Sequence, residues 1–184
     1  LAELVRASGY PDGGVRMVPC HVEVAQILIE DPRVRLISFT GSARAGWAIR
    51  AAAGTKRVAL ELGGNAGVIV EPDADLERAV ERCAVGGYSY AGQSCISVQR
   101  ILVHQQVFDL FLERFVARVR TLAVGDPLDP ATDVGPLISE DAARRAESWI
   151  VAAVGQGARV MTGGARRGNL LEPTVLTGTR PDQQ

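Results

Sequence analysis

The sequence predicts an α/β fold, and three observations carry that prediction. Short β-rich runs alternate with amphipathic stretches from one end to the other, the order of strands and helices in a layered α/β protein. Turn-forming pairs separate those segments, as at Asp31-Pro32 and Glu71-Pro72. The composition, 47% hydrophobic and 22% charged, belongs to a globular chain rather than a disordered one. The 184 residues suffice for one ordinary domain or two incomplete ones.

In order, residues 1–8 read as the end of a helix and residues 15–18 as a short strand after the Pro-Asp-Gly-Gly turn at 11–14. Residues 22–29 are helical, and Asp31-Pro32 stops them. The run VRLISF at 34–39 is a strand ending at Thr40-Gly41. Residues 43–53 form an alanine-rich helix closed by Gly54. Strands follow at 57–60 and 66–70. Residues 74–90 read as a long helix with Asp73 or Asp75 near its positive end, then 98–103 as a strand. Residues 107–122 form an amphipathic helix whose Phe108, Phe111, Leu112, Phe115 and Val119 recur at helical spacing and are expected to face a core. Three prolines make 125–136 a loop; a helix at 140–154 and strands at 159–161 and 174–176 complete the order. The alternation predicts a mostly parallel sheet.

Composition excludes several function classes. Net charge is −1 with no Lys/Arg run, so no nucleic-acid partner is expected. No apolar stretch approaches the roughly 20 residues needed to cross a bilayer, and no signal peptide is visible. The first residue is Leu rather than Met, so the true N-terminus is expected upstream. Cys20, Cys83 and Cys95 are odd in number and form no CxxC, and His21 lies far from His104. That pattern predicts a reducing, cytoplasmic setting without disulfides and without a metal site. Cys20 and Cys83 read as inert core residues.

Three segments carry chemistry. In Phe39-Thr40-Gly41-Ser42-Ala43-Arg44-Ala45-Gly46 a strand runs into a glycine and a helix begins at once. Free N–H groups and the positive end of the helix dipole would meet there, which suits a pyrophosphate. Read alone, an ordinary turn with Ser42 as the helix cap explains the segment better. In Leu60-Glu61-Leu62-Gly63-Gly64-Asn65 a carboxylate ends an apolar strand. Partial shielding from water would make Glu61 a better base near neutrality; a solvated glutamate at a strand end is the equal alternative. In Ala91-Gly92-Gln93-Ser94-Cys95-Ile96 a cysteine follows a small polar turn between helix and strand. Such a turn exposes the thiol and leaves N–H groups for an oxyanion. The thiol needs local positive potential or hydrogen bonding to become a nucleophile at neutral pH.

Taken together and in this order, Phe-Thr-Gly-Ser-x-x-x-Gly, Leu-Glu-Leu-Gly-Gly-Asn and Gly-Gln-x-Cys resemble the aldehyde dehydrogenase superfamily. Cys95 follows Glu61 by 34 residues, as in that family. Gly125-Asp126-Pro127, Gly135-Pro136-Leu137-Ile138 and Glu172-Pro173-Thr174 resemble it too, so the similarity covers nearly the whole chain. The resemblance implies an incomplete Rossmann-type cofactor domain over 1–62 and an incomplete α/β catalytic domain over 63–184. It implies oxidation of an aldehyde to a carboxylic acid with NAD or NADP, through a thiohemiacetal and a thioester. Cys95 matches the nucleophile and Glu61 the general base. Gly41 and Gly46 match the cofactor-loop glycines, with Ser42 near the pyrophosphate, and Thr40, Leu62 and Gly63 match positions lining the nicotinamide. The N–H of Cys95 would supply half of an oxyanion hole, and Gln93 would buttress the nucleophile turn. A homo-oligomer is expected.

The sequence also departs from the family. Asn65 stands where a Lys is frequent, and Ala66-Gly67 lacks the usual proline. Family segments with the second oxyanion donor and the ribose contacts fall outside this chain. The 184 residues alone are therefore expected to show little or no dehydrogenase activity, and to expose sheet edges that self-associate. Two other readings compete. One is a cysteine hydrolase or acyltransferase pairing Cys95 with His104, which requires the imidazole within hydrogen-bond reach. The other is a non-catalytic fragment or scaffold, in which Cys95 would be inert.

Overall fold

The computed structural model describes residues 2–11, 13–181 and 183. Leu1 of the expected first helix, Asp12 of the expected turn, and Asp182 and Gln184 of the polar ending lie outside the described residues. The chain divides into two compact units, Leu1–Leu62 and Gly63–Gln184.

In the first unit, α1 spans Ala2–Ala7 and α2 spans Val22–Glu30. After α2, the Asp31 carboxylate accepts from the main-chain N–H of Arg33 at 2.9 Å and meets its guanidinium at 2.6 Å. That local bonding and the ring of Pro32 end the helix. The N–H of Val34 bonds back to the Asp31 carbonyl at 3.1 Å. This turn delays the next strand, so β1 spans Leu36–Gly41 rather than beginning at Val34. Helix α3 (Ala43–Ala52) then carries the chain over to β2 (Arg57–Leu62), which lies parallel to β1. Parallel pairing requires such a crossover, because the chain must return to the same end of the sheet. The helix stops at Ala53, and Gly54 follows with φ +59°, the left-handed residue that closes a helix.

Residues 15–18, expected as a strand, form none, and Met17 and Val18 stand 76% and 63% exposed. A strand needs a neighbour for its main-chain groups. The paired strands of this unit are β1 and β2, and neither takes residues 15–18 as a partner.

In the second unit, β3 (Ala66–Val70) and β4 (Val98–Val103) pair in parallel, with a register shift between Ala66 and Gly67. Helix α4 (Leu76–Tyr88) is the crossover, and the Asp75 side chain caps it by accepting from the Arg78 N–H at 3.1 Å. It ends two residues before the predicted limit of Tyr90. Gly86-Gly87 weaken its last turn, and the Ser89 hydroxyl donates to the Val85 carbonyl at 2.7 Å. Helices α5 (Phe108–Arg120) and α6 (Glu140–Gly155) follow, then β5 (Arg159–Thr162), β6 (Arg166–Arg167), β7 (Leu170–Leu171) and β8 (Val175–Thr177).

The later strands correct the expectation of a mostly parallel sheet. β5 pairs with β8, and β6 with β7, both antiparallel. The β6–β7 hairpin was not anticipated. Its two-residue link is Gly168-Asn169, with Gly168 at φ +61°, and so short a link permits only antiparallel return.

The second unit's core forms where α4 meets α5. Val80, Cys83 and Ala84 pack against Phe111, Phe115, Val116 and Val119, with Val70 and Val175 closing the cluster from β3 and β8. The predicted stripe is therefore core, although Phe108 at its start is 38% exposed. The rings of Phe111 and Phe115 stack 5.5 Å apart. The Tyr88 hydroxyl donates to the Thr174 carbonyl at 2.9 Å, which satisfies its one buried polar atom. On the outside, Arg118 grips Glu81 with two hydrogen bonds of 2.6 and 3.1 Å and holds that carboxyl below its ordinary range. Among the described residues no helix is long and apolar enough to cross a membrane.

Phe115 is the centre of this packing. Phe115→Ala is expected to lower unfolding stability by about 3–5 kcal/mol, and Phe108→Ala by less than half as much, as measured by urea denaturation. Equal losses would show that the stripe does not face a core.

Candidate active site

Strand alternation in the first unit puts two predicted site residues side by side. Thr40 and Glu61 are register partners across β1 and β2, and both are exposed. The opposite face holds Ile37, Phe39, Val58, Leu60 and Leu62, all half-buried. Glu61 is thus solvated within its own unit, the second of the two readings its sequence left open: residues on the exposed face of a two-stranded pair have nothing stacked over them.

The next residue, Leu62, points the other way. Its side chain fills the space that a Cβ on Gly46 would need, so α3 seats directly on β2. A contact of Leu62 with anything on the Glu61 face would therefore be through its main chain. Gly46 is buried, and the close helix-to-strand approach explains why it is glycine.

The β1–α3 turn has the parts of an anion seat. Gly41 ends β1, and a Cβ there would lie 2.5 Å from the Phe39 ring. Ser42 caps α3, its hydroxyl accepting from the Ala45 N–H at 3.3 Å, and the Ser42 carbonyl accepts from Gly46 at 2.9 Å. The first N–H groups of a helix have no intrahelical acceptor, and they join the positive end of the dipole here. These residues fit the pyrophosphate of a dinucleotide.

Cys95 belongs to the second unit, and so does Gly63, where an added Cβ would meet nothing within 4 Å. The N–H of Ser97 bonds to the Ser94 carbonyl at 3.0 Å, closing a turn with Cys95 and Ile96 at its centre. That hydrogen bond uses neither central N–H, so both remain available for an oxyanion. Cys95 is exposed and unpaired. Upstream, Tyr90 and Ala91 take φ of 54° and 53°, and Gly92 takes 72°. Left-handed backbone at two consecutive non-glycine residues is strained, a state found where function or packing overrides local preference.

Gln93 ties this strained turn down. Its Nε2 donates to the Tyr90 carbonyl at 3.0 Å, and its Oε1 accepts from the Ile138 N–H at 2.9 Å. The loop around Leu137 and Ile138 is held in turn by Asn169, whose carbonyl accepts from the Leu137 N–H at 2.8 Å.

Two neighbours of Cys95 were not singled out from sequence. A Cβ on Gly64 would lie 2.8 Å from the Cys95 carbonyl oxygen. Ser97 is 2% exposed and bonds to the end of α4. A hydroxyl between apolar residues and the second glycine of a pair were the only signals. Asn65 accepts from Arg100 Nε at 3.1 Å, fastening the start of β3 to β4.

The other cysteines separate. Cys83 is buried as expected, and burial pushes its thiol up. Cys20 is exposed, contrary to the core reading; it lies beyond residues 15–18, which form no strand that could carry it into a core. His104 is exposed at the far end of β4 from Cys95, with its Nδ1 accepting from the Gln106 N–H at 3.2 Å. A six-residue strand spans roughly 20 Å, so the two cannot share a proton and the hydrolase pairing fails.

A family model described as the aldehyde dehydrogenase family matches residues 1–184. A 3-sulfolactaldehyde dehydrogenase from Priestia aryabhattai is 40% identical over 185 residues, covering 100% of this chain and 39% of its own length. The crystal structure of an NAD-dependent aldehyde dehydrogenase from Sinorhizobium meliloti shares 41% identity at a TM-score of 0.95, over 99% of this chain and 38% of that one. A glyceraldehyde-3-phosphate dehydrogenase from Methanocaldococcus jannaschii, complexed with NADP, shares 41% at a TM-score of 0.90, over 95% and 39%. The chain thus spans about two-fifths of the length of these proteins.

Thiol accessibility follows from the burial pattern. In the native protein Cys20 and Cys95 are expected to react with an aromatic disulfide within minutes, and Cys83 only after denaturant is added. Peptide mass mapping checks the order, and rapid native labelling of Cys83 would contradict it.

Proposed function

The chain belongs to the aldehyde dehydrogenase family, and from that premise we propose that it carries the nucleophile and the base of an NAD- or NADP-dependent aldehyde oxidation. Cys95 is the nucleophile and Glu61 the general base. Residues 1–62 are the C-terminal part of a dinucleotide-binding domain, and residues 63–184 the N-terminal part of a catalytic domain. The observation that supports this most is at Gly64. That residue, three positions beyond Glu61 in sequence, lies against the carbonyl of Cys95 within the second unit.

The chemistry runs on the chain's own groups. The Cys95 thiolate adds to the aldehyde carbon, and the carbonyl oxygen takes the negative charge. The N–H of Cys95, free of the turn's own hydrogen bond, donates to that oxygen. Gly41, Ser42 and the start of α3, with Gly46 behind, would hold the pyrophosphate of a nicotinamide cofactor, which would supply the hydride acceptor. The adduct carbon, once it has lost its hydride, is a thioester on Cys95. Thr40, Leu62 and Gly63 would line the nicotinamide. Glu61 takes a proton from water as the water oxygen attacks the thioester carbon. The acyl group leaves as a carboxylic acid, and the thiolate is regenerated. Covalent capture is required because an aldehyde is a poor hydride donor until its carbon bears the sulfur.

The substrate is an aldehyde. 3-Sulfolactaldehyde and glyceraldehyde-3-phosphate, in the names of two similar proteins, both carry an anionic group, so a small anionic aldehyde is the first to assay. A cytoplasmic homo-oligomer completes the proposal; three unpaired cysteines accord with a reducing compartment.

In the protein that contains this chain, Cys95→Ala is expected to abolish aldehyde-dependent formation of reduced nicotinamide. Glu61→Gln is expected to slow steady-state turnover about 10²- to 10⁴-fold while keeping a first-turnover burst. Stopped-flow absorbance resolves the two phases. Full steady-state activity in Glu61→Gln would remove the base from the scheme.

A further inference from the structure

Ser97 is a buried polar side chain, 2% exposed, two residues beyond Cys95. Its surroundings explain the burial. Helix α4 stops at Tyr88, and the carbonyls of its last turn must find donors beyond the helix. Val85 is served by Ser89, through both its N–H and its hydroxyl. Gly86 and Gly87 are served by Ser97, whose Oγ lies 3.2 and 3.1 Å from their carbonyl oxygens. One hydroxyl, arriving from the far side of the Cys95 turn, thereby caps the helix that precedes that turn.

The fit around it is tight and made of glycine. A Cβ on Gly86 would lie 2.8 Å from the Val98 side chain, and one on Gly87 would lie 3.3 Å from the Val98 carbonyl. A Cβ on Gly92 would lie 3.2 Å from the Gly87 carbonyl. The C-terminal end of the Cys95 turn is pressed directly onto main chain, with the Ser97 hydroxyl as its polar link.

The other side of the turn meets Gly64. This residue is exposed and does not need glycine for its backbone angles; its φ is not positive. What excludes a side chain is the Cys95 carbonyl oxygen, 2.8 Å from the Cβ position. That is closer than a carbon and an oxygen approach without displacement.

We propose that Ser97 and Gly64 are positioning residues for Cys95: Ser97 locks the turn to the end of α4, and Gly64 leaves the space in which the Cys95 carbonyl seats. The proposal rests on Cys95 being the nucleophile. Together the two contacts fix the Cys95–Ile96 peptide and with it the Cα of Cys95, from which the sulfur projects. Displacement by a fraction of an ångström to about 1 Å is enough to lose up to 10²-fold in rate.

The test compares Ser97→Ala, Gly64→Ala and Gly67→Ala in the full enzyme containing this chain. Gly67 is the control, because a Cβ there meets nothing within 4 Å and its φ is not positive. Two rates are read with an anionic aldehyde and NAD or NADP: the first-turnover burst, and iodoacetamide alkylation of Cys95 with Cys20 as internal reference. Gly64→Ala and Ser97→Ala are expected to slow both at Cys95 by about 10- to 100-fold, with cofactor KM within about twofold, since Thr40 to Gly46 are untouched. Gly67→Ala is expected to stay within about twofold of the parent. A burst in Gly64→Ala equal to that in Gly67→Ala would overturn the proposal, and this decides the matter even if Ser97→Ala fails to fold. Cys95→Ala keeps the outcomes apart. If it leaves turnover intact, the nucleophile assignment falls and takes the proposal with it. If it abolishes turnover while Gly64→Ala and Ser97→Ala are unaffected, only the positioning roles are lost.

Discussion

The carbonyls left open where α4 stops govern the geometry of the second unit around Cys95. A helix end without donors is costly when it is not solvated, and here two of its carbonyls lie beside a buried hydroxyl. Because Ser97 meets them, the chain between must leave the helix, reverse and return within nine residues, 89–97. That constraint accounts for the left-handed backbone at Tyr90, Ala91 and Gly92. Strain at the two non-glycine positions costs on the order of 1–3 kcal/mol each. It is offset by the bonds that close the reversal: Ser89 to Val85, Gln93 to Tyr90 and to Ile138, and Ser97 to Gly86 and Gly87. The thiol then stands at the centre of a braced turn rather than on a loose loop.

Below that turn lies a rigid support. The Phe111 and Phe115 rings, with Val80, Cys83 and Ala84 of α4, fix the axis of the helix whose end the turn caps. Two cysteines of one chain therefore have opposite fates for the same physical reason. Cys83 points from α4 into this packing and its thiol is kept neutral by burial, whereas Cys95 lies beyond the helix end and is exposed.

Close approach of main chain recurs at the positions that matter. Gly46 lets α3 sit on Leu62, which orients the helix N-terminus beside the end of β1. Gly64 admits the Cys95 carbonyl. In both places the glycine serves proximity rather than flexibility, since neither has a positive φ. The first unit carries a capped helix start and an exposed carboxylate, and the second an exposed cysteine in a braced turn.

Much of this was legible in the sequence. Period and turn chemistry placed α2, β3, β4 and α5 to within a residue or two, and the Phe111–Phe115 stripe marked the core because helical spacing is a local property. Residue order brought Thr40, Gly41, Ser42, Glu61 and Cys95 forward as chemistry-bearing positions. Failures came where a partner decides. Residues 15–18 have strand composition and no strand beside them, and the β6–β7 hairpin turned on Gly168-Asn169. Ser97 and Gly64 escaped notice for the same cause. A serine and a glycine carry no periodic signal, and their importance lies in carbonyl oxygens up to 31 positions away in sequence, for Gly64 and Cys95, or ten and eleven, for Ser97 and α4. By itself, then, the sequence determined which segments are helix or strand and which side chains can do chemistry, because those follow from neighbours along the chain. Which of them are buried, capped or pressed together was decided only by tertiary structure, because a hydrogen bond or a steric limit acts between atoms that meet in space.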